Sequence, residues 1–332
     1  MPKNPPKRVL IIGNGFDLDL GLKTGFSDFI ISKDWPSPSE NSREGDWDLL
    51  SFLDSRRNGE SWFDLENQLS DFAKLPKAVG IRSYIRRSVE TNKGHYETLR
   101  KALMTFLNKE VESFEADKDS VAAFFLNHRM DALFSSVYSF NYTNYPTLYS
   151  RVSGKKFKPL LIPSYFRFSE DSSFVHIHGS LPGESAIIGI ADGIDTVEGY
   201  SFLYKTFSPF YHSCSLWYDL QEAREVIFYG HSLGPQDYHY FQDFFSSCCQ
   251  VYTSKREEKR RIVFITKDES CRVKLLEQIR QMNDKKSDLF FLLNEVHFVY
   301  TTQKEQSKNL LLNLHTSWYR AIMGREYDNS QI

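Results

Sequence analysis

Two glycine-rich segments carry residues that could bind the phosphates or the ribose of a nucleotide. The first, Gly13–Asp17, reads Gly-Asn-Gly-Phe-Asp and directly follows a short apolar run. Its glycines would let the backbone approach a phosphate, and Asp17 could accept a hydrogen bond from a ribose hydroxyl or cap a helix. Leu18 replaces the third glycine of the G-x-G-x-x-G signature, so a plain tight turn is the alternative interpretation.

The second segment, Gly230–Asp237, also follows an apolar run and carries the Ser232 hydroxyl and the Asp237 carboxylate. Backbone amides and Ser232 could hold a phosphate or a ribose there. The first five residues also match the G-x-S-x-G turn of serine hydrolases. That alternative needs an acid and then a histidine further along the chain, which Asp243, Asp268 or Asp284 followed by His297 would supply.

Two further strand ends carry polar groups. Asn141 ends one apolar run, and an asparagine there can orient a ribose hydroxyl or a water, or simply cap the next turn. His176 and His178 end another run, and strand alternation predicts that both side chains lie on one face. Either imidazole could act as a general base, chelate a metal or pack as a structural residue. The sequence marks no third metal ligand, so no metal site is predicted.

Seven short apolar runs position these groups and predict strands, several of them ending in glycine or a polar residue. This pattern indicates an α/β fold with a doubly wound, mostly parallel sheet. A helical insertion over residues 36–135 separates the first two strands, and a closing helix is predicted over Gln306–Met323. The predicted strands are Arg8–Gly13, Val137–Phe140, Phe174–His178, Ala186–Ile188, Val226–Tyr229, Ile262–Thr266 and Val296–Tyr300.

Two helices are predicted within the insertion. One begins after a capping box at Ser61–Asp64, and its apolar stripe would place the Glu66 carboxylate in or beside an apolar face, alongside Trp62. A buried carboxylate needs a partner, which is either a ligand or a structural group. The other helix carries an apolar stripe from Leu99 to Phe114.

Composition narrows the class of protein. The 332 residues are 41% hydrophobic with a formal net charge of −2, which is typical of a packed globular protein and gives no overall basic footprint for nucleic acid. No apolar run reaches the ~20 residues that span a bilayer. The four cysteines form no C-x-x-C pair, so a cytoplasmic location is expected.

Taken in chain order, the motifs resemble the bacteriophage abortive infection AbiH family over about residues 8–245. The residues that carry this resemblance are Gly13–Leu18, Gly21–Phe29 with Thr24, Trp62 with Glu66, Phe140–Thr143, His176–Gly179 and Gly230–Gly234.

The same set is similar, more distantly, to sirtuin-like NAD-binding domains. That resemblance implies that Gly13, Gly15 and Phe16 line the diphosphate and that Gly230 and Ser232 lie over the adenosine half. It also implies that Asn141 orients the ribose or the attacking water and that His178 is the base. Asn14 departs from the sirtuin pattern, as does Ile30, and the zinc-binding cysteine pairs are absent, which disfavours peptide deacylation.

Motifs and resemblance together predict an antiphage abortive-infection effector that binds NAD and hydrolyses its nicotinamide–ribose bond. The alternative is a non-catalytic nucleotide-binding sensor or partner-binding module. NAD is expected as the substrate, and no cofactor is expected to be required. A phage-derived trigger or partner protein and a homo-oligomer are also expected. No membrane or nucleic-acid partner is expected. The predicted domains are a sirtuin-like, Rossmann-like core (1–35 and 136–300), the insertion (36–135) and a C-terminal helix and tail (301–332). The predicted site comprises catalytic Asn141 and His178, with Gly13, Asn14, Gly15, Phe16, Asp17, Thr24, Gly230, Ser232 and Asp237 binding the nucleotide.

Overall fold

The computed structural model describes residues 7–37, 48–57, 64–79, 82–157, 174–250 and 259–323. Its strands are β1 (Arg8–Ile12), β2 (Ser136–Ser139), β3 (Phe174–His176), β4 (Glu225–Tyr229), β5 (Arg260–Thr266) and β6 (Asn294–Tyr300). Its α-helices are α1 (Gly15–Asp19), α2 (Phe26–Ile31), α3 (Leu49–Arg57), α4 (Leu65–Val79), α5 (Arg82–Ser113), α6 (Val121–Asn127), α7 (Tyr145–Ser153), α8 (Leu216–Glu222), α9 (Tyr238–Ser247), α10 (Glu269–Met282), α11 (Ser287–Leu293) and α12 (Lys304–Met323). Short 3-10 turns span Met130–Leu133, Leu181–Gly183, Ser201–Leu203, Lys205–Phe207 and Pro235–Asp237.

The six strands form one sheet in the order β3-β2-β1-β4-β5-β6, and every pairing is parallel. All five residues of β1 are buried, as expected for a central strand covered on both faces. Its last residue, Ile12, is level with Ser139 of β2 and Tyr229 of β4. The order changes direction between β1 and β4, and open parallel sheets bind ligands outside the carboxyl ends of strands at such a point.

Helices cover both faces of this sheet. On one face, alternate strand residues such as Ile11 and Phe228 share a buried cluster with Phe241 of α9 and Phe290 of α11. On the other face, Tyr229 packs its ring against residues of α1 and α6. Because neighbouring residues of a strand point to opposite faces, this division follows from the strand sequence.

The parallel α/β sheet predicted from the apolar runs is confirmed, and six of the seven predicted strands are present. The seventh prediction, a strand over Ala186–Ile188, is wrong. These three residues are buried but form no strand, and the nearest pairing is a single bridge between Ile190 and Tyr204. A short buried apolar run has the same sequence appearance in a strand and in an irregular buried segment.

The chain divides into two compact units. The first, which we call the sheet unit, comprises Met1–Leu22, Glu115–Ile177 and Cys214–Ile332. The second, the helical unit, comprises Lys23–Phe114 and His178–Ser213. Relative to the boundaries expected from sequence, α6 groups with the sheet, and residues 178–213 group with the helices.

The helical unit contains α2 to α5 and the 3-10 turns between residues 181 and 207. Ser61, Trp62 and Phe63, which begin the predicted capping box, lie outside the described residues. Its last residue, Asp64, does cap α4, because its Oδ1 accepts hydrogen bonds from the amides of Glu66 (3.1 Å) and Asn67 (3.2 Å).

The predicted stripe from Leu99 is part of α5, with Leu99, Leu103 and Leu107 buried. The predicted closing helix is α12, in the sheet unit. None of the helices in the described parts of the chain is both long and apolar enough to cross a lipid bilayer.

Candidate functional site

The two glycine-rich loops at the carboxyl edge of the sheet are in direct backbone contact. A Cβ atom at Gly13 would lie 2.5 Å from Cα of His231, and one at Gly15 would lie 2.6 Å from Cα of Gly230. At Gly230, where φ is +64°, a Cβ would lie 2.4 Å from the amide nitrogen of Phe16. Side chains do not fit at these distances, so the three glycines are required for packing of the β1–α1 and β4–α9 loops.

Several amides of the first loop already have protein acceptors. Gly13 N donates to Tyr229 O (2.8 Å), Gly15 N to Gly230 O (2.9 Å) and Phe16 N to Gly13 O (2.9 Å). A phosphate cradle of the Rossmann type uses such amides as donors to the ligand. In this loop the amides of Gly13, Gly15 and Phe16 instead donate to backbone oxygens of the protein.

Two other residues of this loop have different surroundings. Asn14 is half-buried at the N-terminus of α1. Phe16 is 0% exposed, with its ring packed against those of Phe125, Tyr145 and Tyr229. The aromatic side chain is thus part of the core beneath the loop rather than of its outer surface.

Asp17 and Asn141 meet in a buried hydrogen-bond network. The Asn141 Nδ2 group donates to Asp17 Oδ1 (2.8 Å), and the Thr143 hydroxyl donates to Asp17 Oδ2 (2.7 Å). Asp17 is 1% exposed and Asn141 is 4% exposed. The carboxylate fixes the orientation of the amide, because a carboxylate only accepts hydrogen bonds and so requires the NH₂ side of Asn141.

With its amide in that orientation, Asn141 Oδ1 has no hydrogen-bond partner among the described residues. The backbone oxygen of the same residue contacts His176 Nδ1 at 3.1 Å, so Nδ1 carries a proton and donates it. Burial lowers the pKa of His176, although this hydrogen bond opposes the shift. In the neutral ring, His176 Nε2 is a second buried acceptor without a partner among the described residues. Unsatisfied buried acceptors are uncommon and favour a donor-bearing ligand.

The loop after β4 is organised by a histidine for which the sequence indicates no role. His231 is buried, its Nδ1 accepts the Leu233 amide (3.0 Å), and its Nε2 lies 3.7 Å from Asp237 Oδ2. Its ring packs edge-on against Phe140, which precedes Asn141. Ser232 is exposed at the tip of the loop. His231 thus packs between the loops that follow β2 and β4. The residues next to it in sequence do not predict this packing role.

The serine hydrolase alternative is disfavoured by the geometry. His297 lies within β6, level with Val263 of β5 and so with Ile227 of β4, three residues before the loop begins. It is two strands from β4, about 10 Å at the usual strand spacing, and its Nε2 contacts Glu295 Oε1 at 2.7 Å. Ser232 therefore has no access to the histidine that the alternative requires.

Thr24 belongs to the helical unit, immediately before the residue that caps α2. Asp28 Oδ2 accepts the Gly25 amide (3.1 Å), which is a capping interaction at this helix start. This part of the motif set, residues 21–29, has a clear structural explanation as a helix N-terminus.

His178 also belongs to the helical unit, whereas Asn141 belongs to the sheet unit. β3 ends at His176, and the predicted strand alternation therefore does not extend to His178. His178 Nε2 lies 3.3 Å from Nζ of Lys205, which is 3% exposed and forms a 2.9 Å ion pair with Glu66 Oε2. The partner that a buried Glu66 required is thus Lys205, 139 residues away in sequence.

Tight turns hold His178 and Lys205 in place. Gly179 has φ +73°, and a Cβ there would lie 1.8 Å from Ser185 O; at Gly189 a Cβ would lie 2.3 Å from Leu203 O. Backbone hydrogen bonds join Ile187 N to His178 O (2.8 Å) and Lys205 N to the oxygen of Ile190 (3.1 Å). Helix α5 supports the same segment, because Tyr96 donates to Ile188 O (2.7 Å) and Asn92 donates to the Tyr200 hydroxyl (2.8 Å).

The described part of the chain contains no group of three or more His, Cys, Asp or Glu side chains that could hold a metal ion. His176 and His178, the H-x-H pair, are engaged with Asn141 O and Lys205 respectively.

Comparison with curated proteins found no match. A family model described as bacteriophage abortive infection AbiH matches residues 9–255, well over half of the 332 residues. The match includes β1 from Val9 onward, β2 to β4, both glycine-rich loops, Asn141, His178 and the Glu66–Lys205 pair. The chain therefore belongs to the bacteriophage abortive infection AbiH family.

Proposed function

We propose that this chain is an antiphage abortive-infection effector that binds NAD at the carboxyl edge of its sheet and hydrolyses the nicotinamide–ribose bond. Membership of the AbiH family suggests the abortive-infection role. Loss of NAD would stop the metabolism of an infected cell and with it phage production. A phage-derived molecule that activates the effector on infection belongs to the same proposal.

The strand order supports a nucleotide as the ligand. The order 3-2-1-4-5-6 is that of the Rossmann dinucleotide-binding fold, in which the dinucleotide lies across the crevice where the order reverses. In this chain the reversal lies between β1 and β4, where the loops of Gly13–Asp17 and Gly230–Asp237 meet.

The observation that carries the proposal is the unpartnered Oδ1 of Asn141. Asp17 holds the amide so that this oxygen is left as an acceptor, and a ribose hydroxyl or a water is a donor of the kind that it lacks. Such a donor would satisfy a group whose burial without a partner costs about 1–3 kcal/mol.

In the reaction, the bond between ribose C1′ and the nicotinamide nitrogen breaks, and both electrons go to the nitrogen. The oxygen of a water molecule bonds to C1′ and releases its proton, giving nicotinamide, ADP-ribose and H⁺. Asn141 Oδ1 would orient the water or the ribose. His178 is the base implied by the sirtuin resemblance, and its part is tested by a separate variant.

The test is to incubate the purified full chain with NAD, with and without lysate of phage-infected cells, and to quantify released nicotinamide. We expect release by the unaltered protein and by Asn108→Ala, an exposed asparagine of α5, and loss of release in Asn141→Ala. No release in either condition would contradict hydrolysis, and undiminished release by both Asn141→Ala and His178→Ala would contradict the proposed site. Protection of a bacterial host in a plaque assay, lost in Asn141→Ala, tests the abortive-infection role.

A second candidate is a non-catalytic nucleotide sensor in the same defence role. It is favoured by the loop amides of Gly13, Gly15 and Phe16, which are engaged within the protein and so would hold a bound diphosphate less firmly than the positioning for bond cleavage requires. Calorimetry separates the candidates. Binding of NAD or ADP-ribose without nicotinamide release supports the sensor, and absence of binding contradicts both.

A further inference from the structure

The helical unit contains a buried row of three ionisable side chains, of which Glu66 and Lys205 have no part in the proposed reaction. Lys205 Nζ lies between Glu66 Oε2 (2.9 Å) and His178 Nε2 (3.3 Å). All three residues are at most 9% exposed. They come from α4, from the turn after β3 and from the 3-10 turn Lys205–Phe207, so the row depends on the fold of the whole unit.

The charges of this row determine the direction of its hydrogen bonds. A buried carboxylate and a buried amine are stabilised as an ion pair, because each compensates the charge of the other. An ammonium group has three hydrogens and no lone pair, so Lys205 donates to both neighbours. His178 Nε2 is then an acceptor, and the neutral imidazole carries its hydrogen on Nδ1.

We infer that Lys205 is a positioning residue that holds His178 in the Nδ1–H tautomer, with Glu66 keeping the Lys205 amine charged and in place. The Nδ1–H tautomer can take up a proton only at Nε2, which is the atom that Lys205 contacts. Lys205 therefore controls the ring nitrogen through which His178 could act as a base. Any role of His178 in NAD hydrolysis rests on the proposed function, whereas the tautomer itself does not.

The backbone around the row supports a positioning role. Two glycines next to the row have no room for a side chain. They are Gly179, adjacent to His178, and Gly189, which contacts Leu203 O near Lys205. The backbone bonds of Ile187 and Ile190 fix both ends of the segment that joins His178 to Lys205. The imidazole and the amine are thus held by a constrained backbone rather than by two flexible side chains alone.

The test is nuclear magnetic resonance of the full chain labelled with ¹⁵N-histidine, in which long-range ¹H–¹⁵N correlations distinguish a protonated from an unprotonated ring nitrogen. The His178 signals are assigned by their loss in His178→Gln. We expect Nδ1 protonated and Nε2 unprotonated in the unaltered protein without NAD. Protonation of Nε2 instead would overturn the inference, because Lys205 would then be an uncharged acceptor.

Variants separate positioning from structural support. Lys205→Met alone would leave the Glu66 carboxylate buried and uncompensated, so the decisive variant is the double change Glu66→Gln with Lys205→Met, which removes both charges. We expect this variant to lose the single Nδ1–H pattern, with Nε2–H appearing. Glu66→Gln alone removes the carboxylate that keeps the Lys205 amine charged and in place, so it is expected to weaken the single Nδ1–H pattern, though less than the double change does.

Lys109→Met, a change at an exposed lysine of α5 that pairs with Asp34, is the matched control and is expected to leave the pattern unchanged. An unchanged His178 pattern in the folded double variant would contradict the inference. The readout requires neither NAD nor turnover, so its failure is distinguishable from failure of the proposed function.

Discussion

Replacement of Gly230 by alanine tests the contact between the two glycine-rich loops. Gly230 has φ +64°, and a left-handed backbone costs a residue with a Cβ about 1–2 kcal/mol. The new Cβ would also lie 2.4 Å from Phe16 N and 2.5 Å from Gly15 Cα, and overpacking of this kind costs about 1–3 kcal/mol. We expect Gly230→Ala to lower the free energy of unfolding by about 2–5 kcal/mol.

Gly154→Ala is the matched control, because it isolates the backbone term. Gly154 ends α7 in the same unit with φ +67°, and a Cβ there has no heavy atom within 4 Å. Its replacement should cost only about 1–2 kcal/mol. Equilibrium urea unfolding, followed by far-ultraviolet circular dichroism, measures the loss of unfolding free energy in both variants. If Gly230→Ala proves no more costly than Gly154→Ala, the loops are not in contact as described.

Two further changes test the interior of the sheet unit. Burial, together with nearby positive charges, lowers the pKa of His315 from 6.5 to about 4, so the unfolded chain binds a proton between these values that the folded chain does not. The free energy of unfolding should therefore fall by about 2 kcal/mol from pH 7 to pH 5 because of this group. Unfolding curves of His315→Gln should show a weaker dependence on pH. An unchanged pH dependence would contradict burial of the neutral ring. Thr143→Val removes the hydroxyl that donates to Asp17 and should cost about 1–3 kcal/mol in urea unfolding, whereas Thr98→Val on the exposed face of α5 should stay within about 0.5 kcal/mol. Equal costs for the two threonine changes would count against the buried network.

The sheet could be predicted because its strands carry local signals. Arg8–Ile12 is a short apolar run ended by glycine, and such runs separated by helical segments indicate a parallel sheet. The same rule failed at Ala186–Ile188. There the backbone is determined by Gly189, at φ +153°, and by the support of Tyr96, neither of which changes the apolar appearance of the run.

The site was only partly predictable, because its bonds join distant residues. The sequence placed Asp17 and Asn141 at strand ends, but their hydrogen bond spans 124 positions and followed from no local pattern. For Glu66, burial on an apolar stripe predicted a partner without identifying it. Lys205 lies in a 3-10 turn, among residues whose sequence gives no indication that an amine is buried there.

The pairing of β1 has a consequence for synthesis of the chain. β1 is made first but is central in the sheet, and its second neighbour, β4, begins only at Glu225, 213 positions after Ile12. At about 5–20 residues per second a ribosome needs about 10–40 s to cover that distance. Until then one edge of this central strand, whose five residues are all buried in the complete sheet, is unpaired, and unpaired strand edges promote aggregation. A nascent chain interrupted before Glu225 would therefore leave β1 unpaired on the side that β4 covers, so the length of the intervening segments makes synthesis of β4 a condition for a central strand paired on both edges.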